Sequence, residues 1–382
     1  MSPRSIVAEV KPELLRWARE TAGLGVTEVA RRLSKVDRWE QGIELPTVRQ
    51  LETLSDLYKR PLASFFLPAP PTEPLPPNDF RVLPGDGSRT LSKKVRLAMR
   101  KARRTQRLYV QLNEELAFAR PPSLPRISVS TEVETEATDF RRVIGVSLQE
   151  QFAWADAYEA FRKWRIATEA VGALVLQLNM PVKEARGFSL SEGPIPTIVV
   201  SSSDAIHGRI FTLFHELGHL LLNSGGICIP DPTDLAEPNQ QVEQFCNHFA
   251  GAFLVPLDAL QSQPDLDQLP SAPQELDERL ERAARAFKAS RQVILRRLLV
   301  TGFITRELFR HTMNRWLSSE PPPERGGGGQ RPAGKVISQL GAGFVSIVLE
   351  AHGRGLITSG DLADYLPLNL KHLPALHKLV GA

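Results

Sequence analysis

Disulfide chemistry is the first thing this sequence lacks. Its 382 residues include two cysteines, Cys228 and Cys246, too few for a disulfide framework. Long apolar runs are missing as well: none approaches the roughly 18 residues of a membrane-spanning helix. The opening segment MSPRSIVAEVKPELLRW has no apolar core of the kind a secretory leader needs. A cytoplasmic location is therefore the expectation. A large excess of one charge is also absent. The formal net charge is +4, too mild to mark the whole chain as a nucleic-acid binder, so any basic signal must be local. No solenoid-type repeat is visible. Hydrophobic residues at 42% and charged residues at 24% exclude a wholly disordered chain.

Proline and glycine are plentiful, at 30 and 26 residues, and they cluster. The segment LPAPPTEPLPP, residues 67–77, holds six prolines and reads as an extended, stiff connector. A second connector, EPPPERGGGGQRPAG, covers residues 320–334. The expected organisation is a helical module over 1–66, a linker over 67–90, a long basic helix over 91–125, a catalytic domain over 126–319 and a helical region over 335–382.

Within the first module, Pro12 suits a first helical turn and Leu14, Leu15 and Trp17 begin an apolar pattern. Thr27 and Glu28 open a second helix, Lys35 to Gln41 forms a third, and Pro46 and Thr47 precede a fourth. The stretch LSKKVRLAMRKARRTQR then carries eight Lys or Arg and no acid. Two readings stay open for it: a solvated helix face, or a contact for phosphates. Residues 135–170 are again helical. Three short β-like runs follow at Ala173–Leu178, Arg186–Leu190 and Thr197–Ser201. Helices are expected over about 206–222 and 240–254, and onward to about Phe309.

The strongest chemical signal is His215-Glu216-Leu217-Gly218-His219 inside the apolar run RIFTLFHELGHLLL. The i, i+4 spacing puts both imidazoles on one helical face, one turn apart, where they can grip one Zn²⁺. Glu216 then projects near the water that the metal activates and serves as general base. Gly218 allows another backbone to approach closely. A pair of satisfied core histidines is the plainer alternative. Catalytic zinc takes three protein ligands. Glu243, on the next helix, completes a His-His-Glu set; Asp231, Asp234, Glu237, Cys246 and His248 compete with it. Cys246 also reads as a small packing residue. The segment Arg186–Leu190 is a candidate edge strand for holding a substrate peptide by strand addition, or simply an interior strand.

FTLFHELGHLLL followed by EQFCNHFAGAFLVP resembles the ImmA/IrrE family of metallopeptidases, and ARGFSL and PTIVV sit where that family has its short sheet. The resemblance spans roughly residues 135–300. It implies that His215, His219 and Glu243 bind the metal and that Glu216 is the catalytic base. It implies zinc, or manganese as in some relatives. The substrate it implies is a helix-turn-helix repressor under stress-response or mobile-element control.

The segments PELLRWARETAG, VTEVARRL, VDRWEQGIELPT and RQLETLSDLYKRPLASFFLP are similar to an XRE-type helix-turn-helix domain. Leu33 runs almost directly into Ser34-Lys35-Val36, about four residues short of the turn such domains have before the recognition helix. Lys35 and Arg38 are the exposed candidates for double-stranded DNA, and Trp39 is a core residue. A module for dimerisation or repressor docking is the alternative. One more helix-turn-helix-like stretch, Ala284 to Leu299, reads as packing beside the active site or as a DNA contact, with Ser290 capping its second helix.

The fold class expected is thus α+β: a helix-turn-helix domain, a zincin-like metallopeptidase domain of helices with a small sheet, and a helical C-terminal region. The function expected is metal-dependent endopeptidase action on a regulatory protein, with a homodimer as one possible assembly. The alternative is a DNA-binding transcription regulator or antitoxin-like protein whose peptidase-like domain senses a signal without turnover.

Overall fold

Apolar residues recur at three- and four-residue spacing along most of the chain, and helix follows from that period. The computed structural model describes residues 6–71, 91–223, 227–228, 237–263, 266, 273–319 and 331–381. They fall into two units. The first contains 6–71 and 91–101; the second contains 102–381.

The first unit comprises α1 (Pro12–Thr21), α2 (Val26–Ala30), α3 (Val36–Glu40), α4 (Val48–Tyr58), a 3₁₀ turn (Leu62–Phe66) and the start of α5 (Lys93–Glu115). Leu15, Val29, Val36, Trp39, Leu51 and Leu54 meet in its core, so Trp39 is interior as expected. Thr47 and Gln50 form a capping box at the start of α4. A buried ion pair joins α1 to α3: Arg19 donates to both oxygens of Glu40, at 2.7 and 2.8 Å. The cations at the start of α5 mostly cap helix ends. Lys93 and Arg100 donate to the carbonyls of Leu57 and Tyr58, the last residues of α4. Arg96 reaches the carbonyl of Glu20 near the end of α1. Terminal carbonyls lack helical partners and carry the negative end of the dipole, so cations suit them. Farther along the same helix, Arg104 pairs with Asp364 in the second unit.

The second unit is built around a small sheet of β1 (Leu174–Leu178), β2 (Gly187–Leu190), β3 (Thr197–Ser201) and the two-residue β4 (Ile227–Cys228), in the order β1-β3-β2-β4. β1 runs parallel to β3, with Leu174 opposite Thr197. β2 runs antiparallel to β3, with Gly187 opposite Val200. β4 pairs only with Gly187 and Phe188. Of the two readings of 186–190, this order decides for the interior strand over the edge: chain returning after the helix that carries His215 and His219 adds β4 beside Gly187 and Phe188. The first three strands are buried throughout, which explains their apolar rather than alternating sequences.

Residues 135–170 are helical as expected, in three helices: α6 (Val133–Ile144), α7 (Leu148–Ala153) and α8 (Ala157–Ala170). Gly145, at φ 72°, ends α6 in the left-handed conformation, and Ser147 and Asp156 cap the next two. After the sheet come α9 (Ile206–Leu221), α10 (Glu237–Leu254), α11 (Leu257–Gln261), α12 (Pro273–Phe287), α13 (Arg291–Val300) and α14 (Arg306–Ser319). α15 (Pro332–Leu340), α16 (Ala342–Gly353), α17 (Ser359–Tyr365) and α18 (Leu373–Val380) complete the chain. The carbonyl of Ser338 on α15 accepts from Gln177 on β1 and Arg165 on α8, both at 2.8 Å, so this last region is tied to the sheet. An aromatic cluster fills the centre: Trp164 meets Trp154 and Phe214 edge-on at 4.9 and 5.0 Å, and Phe214 stacks on Phe253 at 4.1 Å.

Glu134, in the first turn of α6, joins two further helices. Arg297 of α13 donates to both its oxygens at 2.6 and 2.9 Å, and His248 of α10 lies 2.7 Å from Oε1. Burial opposes ionisation of Glu134, but the hydrogen bonds from His248 and Arg297 outweigh it and draw its carboxyl from 4.5 down to about 2. A depressed pKa stabilises the fold above the unfolded-state value, and the contribution disappears as pH falls from about 4.5 to about 2. Glu134→Gln should lower stability at neutral pH by about 3 kcal/mol. Urea titrations across pH should show that deficit shrinking below about pH 4.5; a deficit independent of pH would contradict the assignment.

Candidate metal centre

The centre is made by two helices that nearly touch. From Thr212 to Leu221 every residue of α9 is buried, with Phe214 and Leu217 held in the aromatic core. That anchoring turns His215 and His219 toward α10. The two helices can close because position 218 has no side chain: a Cβ there would lie 3.2 Å from Cys246 Sγ and 3.3 Å from its Cα. Cys246 is a buried free thiol in that contact, so it packs against α9. One turn before Cys246, Glu243 reaches both histidines. Its Oε1 lies 3.1 Å from His219 Nε2, its Oε2 lies 3.3 Å from His215 Nε2, and the two Nε2 atoms are 3.2 Å apart. All three side chains are buried, and one ligand atom from each falls within 4.8 Å of the others.

The donor chemistry of this trio fits a divalent cation. His215 Nδ1 is 3.1 Å from Asn247 Oδ1, so Nδ1 carries the proton and Nε2 offers a lone pair to the centre. Two ring nitrogens and a carboxylate then converge at a distance where lone pairs repel unless positive charge lies among them. Two imidazoles and one carboxylate form a familiar open set for zinc, and they also accept manganese. Burial resists ionisation of Glu243; when the His215 and His219 rings are protonated in place of a bound cation, their hydrogen bonds hold it well below the usual carboxylate range.

Glu216 stands on α9 between the two histidines and is completely buried. Burial pushes its carboxyl up to about 7, against the opposing pull of His219 and His215 and a hydrogen bond from Ser189 on β2. β2 comes this close because of Gly187: a Cβ there would lie 2.4 Å from Thr212 Cγ2 and 2.7 Å from the carbonyl oxygen of Val199.

Of the competing ligand candidates, His248 turns away to Glu134. Asp231, Asp234 and the side chain of Glu237 lie outside the described residues. The stretch from Ala284 to Leu299 packs beside the centre: Ser290 caps α13 at Val293, Arg297 is buried against Glu134, and Val293 and Arg296 line a cavity next to Glu243. Lys35 and Arg38, proposed from the sequence for DNA, lie in the other unit and are exposed. Both pair with Glu44, at 2.8 and 2.9 Å. Hydrogen bonding from Lys35, joined by Arg38, holds the Glu44 carboxyl below its ordinary value.

Residues 168–299 match the family model for the IrrE N-terminal-like domain, peptidase M78. Residues 13–64 match a helix-turn-helix domain. Two separate stretches of the chain are thus similar to an M78 peptidase domain and to a helix-turn-helix domain. No curated protein matches the chain. The M78 match includes His215, Glu216, His219 and Glu243 but stops before α14 and begins after Glu134, so part of the surrounding wall lies beyond it.

Three contributors escaped sequence reading: Ser189, the orienting role of Asn247, and the Glu134–Arg297 pair. Ser189 sits in a strand with no local chemical signal. Asn247 had one usable cue, its i, i+4 relation to Glu243 on the helix facing the histidines. Asn247→Ala should weaken metal binding about ten- to a hundredfold, because His215 loses the acceptor that fixes its ring. Competition with a chromophoric chelator measures this, and unchanged affinity would remove Asn247 from the centre.

Proposed function

We propose that this protein is a metal-dependent endopeptidase that hydrolyses a peptide bond in a regulatory protein, a helix-turn-helix repressor being the intended substrate class. The observation that carries the reading is the convergence of His215, His219 and Glu243 around one point with Glu216 beside it. In this reading the first three hold zinc, with manganese as the alternative ion. Bound metal supplies Lewis acidity for attack on a peptide carbonyl. Glu216 takes the proton of the attacking water and passes it to the leaving amine. Ser189 holds the Glu216 carboxylate in place, and Asn247 holds His215. The closed contact at Gly218 and the apolar surroundings keep the trio from relaxing apart.

The purified chain should bind one divalent ion, read by plasma mass spectrometry after loading and dialysis. New protein termini should accumulate when a bacterial extract is incubated with the loaded protein, and Glu216→Gln should abolish them while retaining the ion. Failure to bind any divalent ion, or equal termini with both proteins, would end the peptidase reading.

The helix-turn-helix domain supports a second element of the proposal: the first unit binds double-stranded DNA through Lys35 and Arg38. Glu44 is then a brake, since it neutralises both cations on the face that would meet phosphates. Glu44→Gln should tighten binding to a mixed-sequence duplex and steepen its salt dependence, while Lys35→Ala with Arg38→Ala should weaken it. Fluorescence anisotropy at several salt concentrations reads both. Equal affinity in all variants would favour a docking module over a DNA reader.

A further inference from the structure

Beside His215 and Glu243 opens a cavity of about 250 Å³ whose charge is not explained by the metal centre. Two cations stand on its wall from separate elements. Arg186 immediately precedes β2, and Arg296 projects from α13. Among the described residues lining it, Glu243 is the single acid, and it faces the two histidines.

The two arginines are held differently. Asp204, itself buried, accepts from Arg186 at 3.1 and 3.3 Å and fixes it, while 40% of the Arg186 side chain stays exposed. Arg296 has no ion pair among the described residues. Its guanidinium lies over the Phe309 ring, 5.5 Å from the centroid, which leaves its N–H groups available at the edge. Ser290 brings the positive end of α13 to the same cavity. Thr212 supplies an independent sign of a missing guest. It lines the cavity, is 1% exposed, and its hydroxyl has no hydrogen-bond partner among the described residues. Native interiors rarely leave such a group unsatisfied.

We infer that this cavity is a substrate subsite for a peptide carboxylate next to the scissile bond, and that Arg296 determines the preference. The inference rests on the peptidase reading. Peptides offer a carboxylate from two sources, an Asp or Glu side chain or a free C-terminus. A planar guanidinium pairs with either through two parallel N–H donors. The first turn of α13 adds neutral donors, and the Phe309 ring supports the guanidinium. Because Arg296 is exposed and packs on one ring, changing it should leave the fold intact.

The test separates binding from hydrolysis. Zinc-loaded full-length Glu216→Gln protein is incubated with two decapeptide libraries. One has amidated ends and either acidic, basic or only neutral side chains; the other has neutral side chains and free C-terminal carboxylates. Retained peptides are read by mass spectrometry. The expected result is retention favouring one carboxylate source over neutral amidated peptides by about tenfold or more. Arg296→Glu should reverse the preference toward Lys- or Arg-containing peptides, and Arg296→Lys should restore much of it. Retention of nothing above a protein-free control, no carboxylate preference, or an unchanged preference in Arg296→Glu would each overturn the inference. Hydrolysis of the retained peptides by the chain with Glu216 intact is a separate arm. Its failure, with the charge preference still present, would count against the peptidase reading and leave the carboxylate subsite standing.

Discussion

The close approach of α9 and α10 at Gly218 and Cys246 governs the rest of the second unit. A side chain at 218 would meet the backbone and sulfur of Cys246 at ordinary helix separation. With glycine there, Glu243 arrives one turn earlier on α10 within about 3 Å of both histidines. Glycine costs helix propensity, about 1 kcal/mol against alanine. The buried faces on either side offset this: Phe214 stacks on Phe253, and Phe249 and Phe253 of α10 join the same aromatic cluster. The face that carries His215, His219 and Glu243 is thus the polar underside of a contact whose stability is hydrophobic.

Two layers of support surround that contact. Asn247 and Ser189 act directly on the groups at the centre, one through the second nitrogen of His215 and the other through the Glu216 carboxyl. Farther out, Glu134 ties three helices together through its ion pair with Arg297 and its hydrogen bond with His248. Such a pair is costly to bury, but once buried it resists separation, because losing one partner strands the other. His248 belongs to this outer layer although it lies near the motif in sequence. The first unit shows the same economy of charge on a smaller scale: Arg19 and Glu40 form a buried pair, and the basic start of α5 spends several cations on helix ends.

Local features were readable in advance where a short-range rule applied. Helix starts at Thr47 and Ser290, the three strands and the i, i+4 histidines all follow from spacing, capping or β-branched content. The sequence left more than one outcome open where a second segment decided it. Residues 135–170 kept an apolar pattern through two breaks, and Gly145 and the caps at Ser147 and Asp156 divided it. β2 could be an edge or an interior strand, and a two-residue strand from beyond α9 that pairs with it decides for the interior. The eight basic residues of α5 looked uncommitted because the carbonyls they meet are invisible in a side-chain pattern.

What the sequence determined by itself is chemistry within one turn or one strand: two imidazoles and a carboxylic acid on a buried helix, with a glycine that permits close packing. Which acid joins them was decided by tertiary structure. Glu243 and His248 share a helix, yet one meets the histidines and the other meets Glu134. The five-residue offset rotates them well apart around the helix, and the crossing with α9 chooses the face. The same reason applies to the carboxylate cavity. Arg186 and Arg296 are 110 positions apart in the chain, and only the packing of β2, α9 and α13 places both on one wall.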